Sequence, residues 1–261
     1  MRKIVKYIAM VAATVVGLGS AGAASAGTII INDSKGGLVS YDTTTKVSTV
    51  LSKSSGTTMY DIAMNAGGDL FGVNGGTLYK MTTAGVSTAI GSLNAFVNGL
   101  VFGADGTLYG SGDEDLYKIN TSTGEASLIG ATGQQSSGDL AFFKGQMYLA
   151  SDAGLALVNP LTGASQLIGG TPAIFGLAST ADTLFGVKDN AIYTIDPATG
   201  LATQVAAYTN GLAYGAASLP MSAPTSVPEP ATWAMMLLGL VLVGYALRRR
   251  QAQAVPHAAI A

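Results

Sequence analysis

Leu108 to Gly130 reads LYGSGDEDLYKINTSTGEASLIG, and this stretch decides the fold. It holds two short apolar runs, a polar turn, and a third run that alternates Ser, Leu, Ile and Gly. Its second half recurs along the chain. TLYKMTTAGVSTAIG begins at Thr77, LALVNPLTGASQLIG at Leu155, AIYTIDPATGLATQVA at Ala191, and LVSYDTTTKVSTVL at Leu38. The first apolar anchors are Leu38, Leu78, Leu116, Leu155 and Ile192, separated by 40, 38, 39 and 37 residues. A fixed period of this size signals a repeat architecture, with each copy one supersecondary unit.

Two further runs belong to the same repeat. TIIIN, LFGVN, LYGSG, MYLAS and LFGVK precede the first series, anchored at Ile30, Leu70, Leu108, Met147 and Leu184, each 8 residues upstream. DIAM, GLVF, DLAF, GLAS and GLAY form the last series, anchored at Ile62, Leu100, Leu140, Leu177 and Leu212. Short apolar runs flanked by Gly, Asp or Asn read as strands buried on both faces. One repeat therefore supplies four strands: LYKIN, ASLIG, DLAFF and QMYLA. The turn between the first two is an Asx-to-Gly loop in three copies, Asn120 to Gly124, Asn159 to Gly163 and Asp196 to Gly200. An Asx side chain accepts from the backbone two residues on, and Gly takes the positive φ that closes the hairpin. This role also accounts for the Asn120-Thr121-Ser122 sequon.

Four antiparallel strands at this period predict β-propeller blades. The ends of the repeat fix the number. After Leu212 the next strand is due where the chain reads LPMSAPTSVPEP, too rich in proline for a ladder. Thr28 to Asn32 is a strand of that type with no repeat before it. The N-terminal strand is thus expected to complete the last blade and close five blades into a ring without exposed edges. An open solenoid or an edge-swapped dimer is the alternative. A WD40 assignment fails, because the chain has no Trp-Asp dipeptide and its one tryptophan is Trp233.

Both ends read as processing segments. Arg2, Lys3 and Lys6 precede an apolar stretch from Tyr7 to Leu18, and Ala24-Ser25-Ala26 is an A-x-A cleavage site with Gly27 as the new N-terminus. Near the other end, Val227-Pro228-Glu229-Pro230 precedes an uncharged apolar run of 17 residues, Ala231 to Leu247, followed by Arg248, Arg249 and Arg250. That run is at the short end of what crosses a hydrocarbon core of roughly 30 Å, with the arginines on the cytoplasmic side. The expected organisation is a signal peptide over 1–26, the propeller over 27–220, a Pro-rich linker over 221–230, a transmembrane helix with its basic cluster over 231–250, and a tail over 251–261.

The tail resembles the PEP-CTERM sorting signal of Gram-negative bacteria, which joins a Val-Pro-Glu-Pro motif, a short span and a basic cluster. The resemblance implies export by a Sec signal and an inner-membrane intermediate. It implies recognition of Pro228, Glu229 and Pro230 by an exosortase, a membrane transpeptidase, and then release to the outer surface or extracellular matrix. It also implies association with exopolysaccharide. The eleven residues after Arg250 depart from the usual pattern.

Charge and composition exclude several functions. Between Gly27 and Pro220 stand seven lysines, fourteen acidic residues and no arginine, which disfavours nucleic acid as a partner because no basic face meets the phosphates. There is no cysteine, so neither a disulfide framework nor a thiol site exists. The sole histidine, His257, lies in the tail, which removes Ser-His-Asp and His-metal constellations from the ring. No cofactor is expected. Carboxylates remain. Asp33, Asp113, Glu114, Asp115, Asp152 and Asp189 follow the TIIIN-type strand on one face, where turn chemistry explains them. Asp113, Glu114 and Asp115 are the densest group of hard oxygen ligands, a weak Ca²⁺ candidate beside the favoured reading as a solvated turn. Tyr79, Tyr117 and Tyr193 share one repeat position, and Phe71, Tyr109, Tyr148 and Phe185 another. They read as core, with stacking on sugar rings as the alternative. The expected role is non-enzymatic, structural or adhesive. A glycan-active or lactone-hydrolysing enzyme is one rival, and a protein-binding scaffold the other.

Overall fold

The computed structural model describes residues 27–54 and 56–219, which belong to the first of two units and stop short of its end at Pro220. They form an all-β ring of five four-stranded antiparallel sheets. Three strands open the chain: β1 (Thr28–Asp33), β2 (Leu38–Asp42) and β3 (Val47–Ser52). The second blade is β4 (Asp61–Met64), β5 (Leu70–Val73), β6 (Gly75–Met81) and β7 (Ser87–Val97). The third is β8 (Gly99–Phe102), β9 (Leu108–Gly112), β10 (Asp115–Ile119) and β11 (Ala126–Ala131). The fourth is β12 (Ser136–Phe143), β13 (Gln146–Ser151), β14 (Gly154–Val158) and β15 (Ser165–Gly169). The fifth is β16 (Gly176–Ser179), β17 (Leu184–Lys188), β18 (Ala191–Ile195) and β19 (Ala202–Ala207). Last comes β20 (Ala213–Ser218), which pairs with β1 and completes the first blade in the order β20-β1-β2-β3.

Closure by the N-terminal strand is therefore as expected, and the blade boundary differs from the sequence repeat. The four strands LYKIN, ASLIG, DLAFF and QMYLA do not share a sheet. LYKIN and ASLIG are the outer strands of the third blade, and DLAFF and QMYLA the inner strands of the fourth. Two anchors also shift. Leu38 pairs with Asn32, six residues back, whereas Leu78, Leu116, Leu155 and Ile192 pair five back, so Ile29 and not Ile30 matches Leu70. In the last repeat the match to Leu177 is Ala216, within GAAS, and Leu212 lies outside the strand.

Packing explains the composition of each strand. Five hydrophobic clusters are present among the described residues, one at each junction between neighbouring blades. Ile29 and Ile31 pack towards the fifth blade while Ile30 packs towards the second, so β1 is apolar at successive positions. A strand covered on both faces needs no polar alternation. The outermost strands, rich in Ser, Thr and Gln, are largely exposed. The Asx turns form as expected: Asn120 Oδ1 accepts from Ser122 N (2.8 Å), Asn159 Oδ1 from Leu161 N (2.9 Å) and Asp196 Oδ1 from Ala198 N (2.9 Å). Gly124, Gly163 and Gly200 close them at φ of 84°, 78° and 71°.

The first blade uses the same turn with a different closing residue. Asp42 Oδ1 accepts from Thr44 N and Thr45 N, and Lys46 occupies the closing position at φ 59°. A left-handed conformation costs an L-residue roughly 1–2 kcal/mol. Lys46 is exposed, so Lys46→Gly is expected to stabilise the domain by about 0.5–1 kcal/mol after the entropy that Gly adds to the unfolded chain. Chemical denaturation measures this, and an unchanged or lower midpoint contradicts it.

Candidate functional site

The inner strands β20, β4, β8, β12 and β16 each pair with one neighbour and turn a free edge towards the ring axis. Backbone N–H groups on such an edge need acceptors when water is excluded. Here the acceptors are two carboxyl groups. Strand register makes Asp61, Gly99, Asp139, Gly176 and Gly215 equivalent, each opening the apolar core of its inner strand. Asp61 Oδ2 accepts from Leu100 N at 2.6 Å. Asp139 Oδ1 accepts from Leu140 N at 2.5 Å, and its Oδ2 from Leu177 N at 2.5 Å and Ala216 N at 3.3 Å. The amides of Ile62 and Ala216 also bear on Asp61. All five equivalent amides, one per blade, are thus directed at this carboxyl pair.

Asp61 and Asp139 are both 0 % exposed and their carboxyl groups stand close enough to perturb each other. Burial pushes both far above the ordinary carboxylate range, and the charge of Asp61 pushes Asp139 further. Two carboxylates in contact in a dry site cannot both ionise, so the pair holds a proton. Asp61 Oδ1 meets no N–H or O–H donor of the chain, and neither does the buried Asn32 Oδ1, whose Nδ2 donates to Met59 O at 2.8 Å. Gly215 is what gives these oxygens space: a Cβ there would overlap Asp61 Oδ1 and come within 2.6 Å of Asn32 Oδ1.

Along the strands, the pair stands between two cavities. One is small, about 80 Å³, and lined by residues such as Leu100, Phe102, Phe142 and Ser179. The other, about 280 Å³, opens at the mouth, where the residues just before the Asp/Gly ring gather: Tyr60, Asn98, Gly138, Phe175 and Tyr214, joined by Phe96 and Ser137. Phe96 comes from the long strand β7. The Tyr60 and Phe96 rings lie 6.1 Å apart, tilted by 56°, and are 46 % and 44 % exposed. Asn98 Nδ2 donates to Ser136 O at 3.0 Å, and Ser137 Oγ donates to Asp152 Oδ1 at 2.7 Å. Lys188 Nζ stands 5.9 Å from the centre of the Phe175 ring.

The residues singled out from the sequence fall elsewhere, except at this rim. Asp33 is buried and structural, accepting from Lys35 N, Gly37 N and Tyr208 Oη (3.0 Å). Asp113, Glu114 and Asp115 form a turn with Asp113 at φ 48°. The Asp113 and Glu114 carbonyls accept from Ser136 N and Thr132 N, and Asp115 Oδ2 accepts from Tyr117 Oη. Among the described residues no three His, Cys, Asp or Glu side chains gather as metal ligands do. Asp189 is a turn residue at φ 52° whose carbonyl accepts from Ala213 N. Phe71, Tyr109, Tyr148 and Phe185 are core, and Tyr79, Tyr117 and Tyr193 are half-buried. Gly27 is the first described residue, its carbonyl held by Thr43 N at 2.7 Å. Ala24, Ala26, the Val227 to Pro230 motif, the apolar run and Arg248 to Arg250 lie outside the described residues. Among the described residues no helix is long and apolar enough to cross a membrane.

The axial pair was signalled in the sequence by the series DIAM, GLVF, DLAF, GLAS, in which Asp replaces Gly at a position next to a doubly buried run. Tyr60, Phe175 and Tyr214 give no such signal until the strands are in register.

Residues 226–250 match the PEP-CTERM protein-sorting motif. The chain carries a PEP-CTERM sorting signal. A PEP-CTERM signal implies export, processing at the membrane by an exosortase, and surface display, so the ring is the body of an exported propeller protein. A search of curated proteins finds no match. Among solved structures, the ring is similar to one from work on the de novo evolutionary emergence of a symmetrical protein. That likeness has a TM-score of 0.50 at 20 % identity, over 74 % of this chain and 99 % of that one. It is also similar to a chain of the nidogen/laminin complex, with a TM-score of 0.51 at 13 % identity, over 74 % of this chain and 86 % of the other. Glutaminyl cyclase from Myxococcus xanthus matches at a TM-score of 0.47 and 16 % identity, over 62 % and 70 %. At such identities the likeness concerns the fold alone.

Proposed function

We propose that this protein is a non-enzymatic propeller of the cell envelope or extracellular matrix, with a structural or adhesive role, and that it holds exopolysaccharide at the aromatic mouth. The observation that carries this reading is the set of accessible rings around a cavity of about 280 Å³ above the axial pair. Aromatic faces offer large rigid contact area at little entropic cost. Glycoside hydrolysis is disfavoured by geometry. Its two carboxyl groups stand roughly 5–9.5 Å apart around the scissile bond, whereas Asp61 and Asp139 touch each other and are occupied by backbone amides.

Polymer from the producing organism should retain the protein in a pull-down, and a Tyr60→Ala/Phe96→Ala double variant should lose most of that retention. Both rings are half exposed, so the variant keeps the fold. Retention no better than that of a denatured control would remove the ligand from this reading. Mass spectrometry of the secreted protein checks delivery: a mature form beginning at Gly27 and lacking Trp233 to Arg250 is expected.

A further inference from the structure

We infer that the mouth is an aromatic cage for an organic ammonium group, so that the sugar chain it holds carries a positively charged amine. The inference rests on the polymer-binding reading above and narrows its ligand.

The first argument is the disposition of the rings. A sugar ring stacks its C–H face on one aromatic face, whereas a compact cation can lie against several faces at once. The Tyr60 and Phe96 rings are inclined at 56° with centres 6.1 Å apart, and Phe175 and Tyr214 line the same cavity. Inclined faces flank a compact group. Each π face is electronegative and attracts a cation within about 6 Å of the ring centre, more strongly when water is excluded.

Charge points the same way. No Lys or Arg side chain lines the cavity. The Asp152 carboxylate is fastened to Ser137 of its wall. The ring domain as a whole has twice as many acidic residues as lysines. The acidic excess of the domain favours cations over uronate or phosphate chains, although Lys188 brings one positive charge to the rim. The rim already holds one such contact, since the Lys188 ammonium sits within cation–π range of Phe175.

Calorimetric titration of the full chain at mildly acidic pH, with three probes, tests this. The probes are a glucosamine oligomer, its N-acetylated counterpart of equal length, and choline. The charged oligomer and choline should bind and compete with each other, and the acetylated oligomer should bind at least about ten-fold more weakly. Tyr60→Ala and Phe96→Ala should each weaken the charged probes about ten-fold. Asp152→Asn should weaken the charged probes and leave the acetylated one unchanged. Equal affinity for charged and acetylated oligomers overturns the ammonium inference and leaves the polysaccharide reading standing. Choline binding without either oligomer supports the cage and removes the polysaccharide. Binding of no probe overturns the ammonium inference, and the pull-down with the organism's own polymer then decides the polysaccharide reading.

Discussion

Asp139→Ala should remove on the order of 5 kcal/mol of stability, enough to abolish cooperative unfolding in a domain of ordinary stability. The reason is the number of groups that depend on one side chain. Leu140 N, Leu177 N and Ala216 N, from three different blades, all donate to the Asp139 carboxyl group. Each buried donor left without an acceptor costs about 1–3 kcal/mol. Asp139→Asn keeps one acceptor oxygen and should cost about 1–3 kcal/mol by the same reasoning. Denaturant unfolding followed by circular dichroism distinguishes the two. An Asp139→Ala protein within 1 kcal/mol of the parent, as an order-of-magnitude criterion, would show that the axial hydrogen bonds do not hold the ring together.

The second large effect is an inverted response to pH. Asp61 and Asp139 have folded-state pKa values raised above the ordinary 3.8, so the ring keeps a proton that the unfolded chain has released. Their contribution is fully present below pH 3.8 and is lost as the pH rises through the folded-state values. The slope is about 1.4 kcal/mol per pH unit for each proton retained. Asp42, Asp105 and Asp196 act in the opposite sense. The amides of their own turns hold their pKa values down, so they favour the fold above that range and lose their effect as the pH falls. Asp105 and Asp196 are exposed and Asp42 is partly so, and all three are screened by solvent, so the buried pair dominates. The denaturation midpoint should fall over the interval above pH 3.8 as the unfolded chain releases the protons that the ring keeps, and Asp61→Asn or Asp139→Asn should flatten the slope. A parent protein that gains stability over that interval would contradict the shared proton.

The ring was legible in the sequence because the period repeats at every level. Anchor spacing, Asx turns and the unpaired N-terminal strand all converge on five blades. The blade boundary was not legible. A covalent repeat runs continuously from Leu116 to Ala150, and nothing local says that β11 and β12 belong to different sheets. The last repeat misled for a definable reason. At the axis Ala216 suffices where other copies use Ile or Leu, so GLAY at Gly211 looked like the better match than GAAS at Gly215. The mouth escaped because Tyr60, Phe175 and Tyr214 precede the anchors by two positions, where a slip of four residues hides Tyr214 altogether, and Phe96 comes from β7. The acidic turns that were singled out owe their acids to backbone geometry, as Asp33 shows with its two accepted amides.

The joining of β20 to β1 sets the timetable of assembly. Blades two to five are each continuous in sequence and can pair their strands as soon as they emerge, whereas the first blade waits for a partner some 190 residues away, as Ile29 pairs with Ser218. Contacts of such long separation form late, because the chain entropy must be overcome before they contribute. The strand that completes the ring also directly precedes the proline-rich approach to Pro228. A chain interrupted before the closing strand therefore lacks the sorting signal as well, so truncation that leaves the ring open also removes the address.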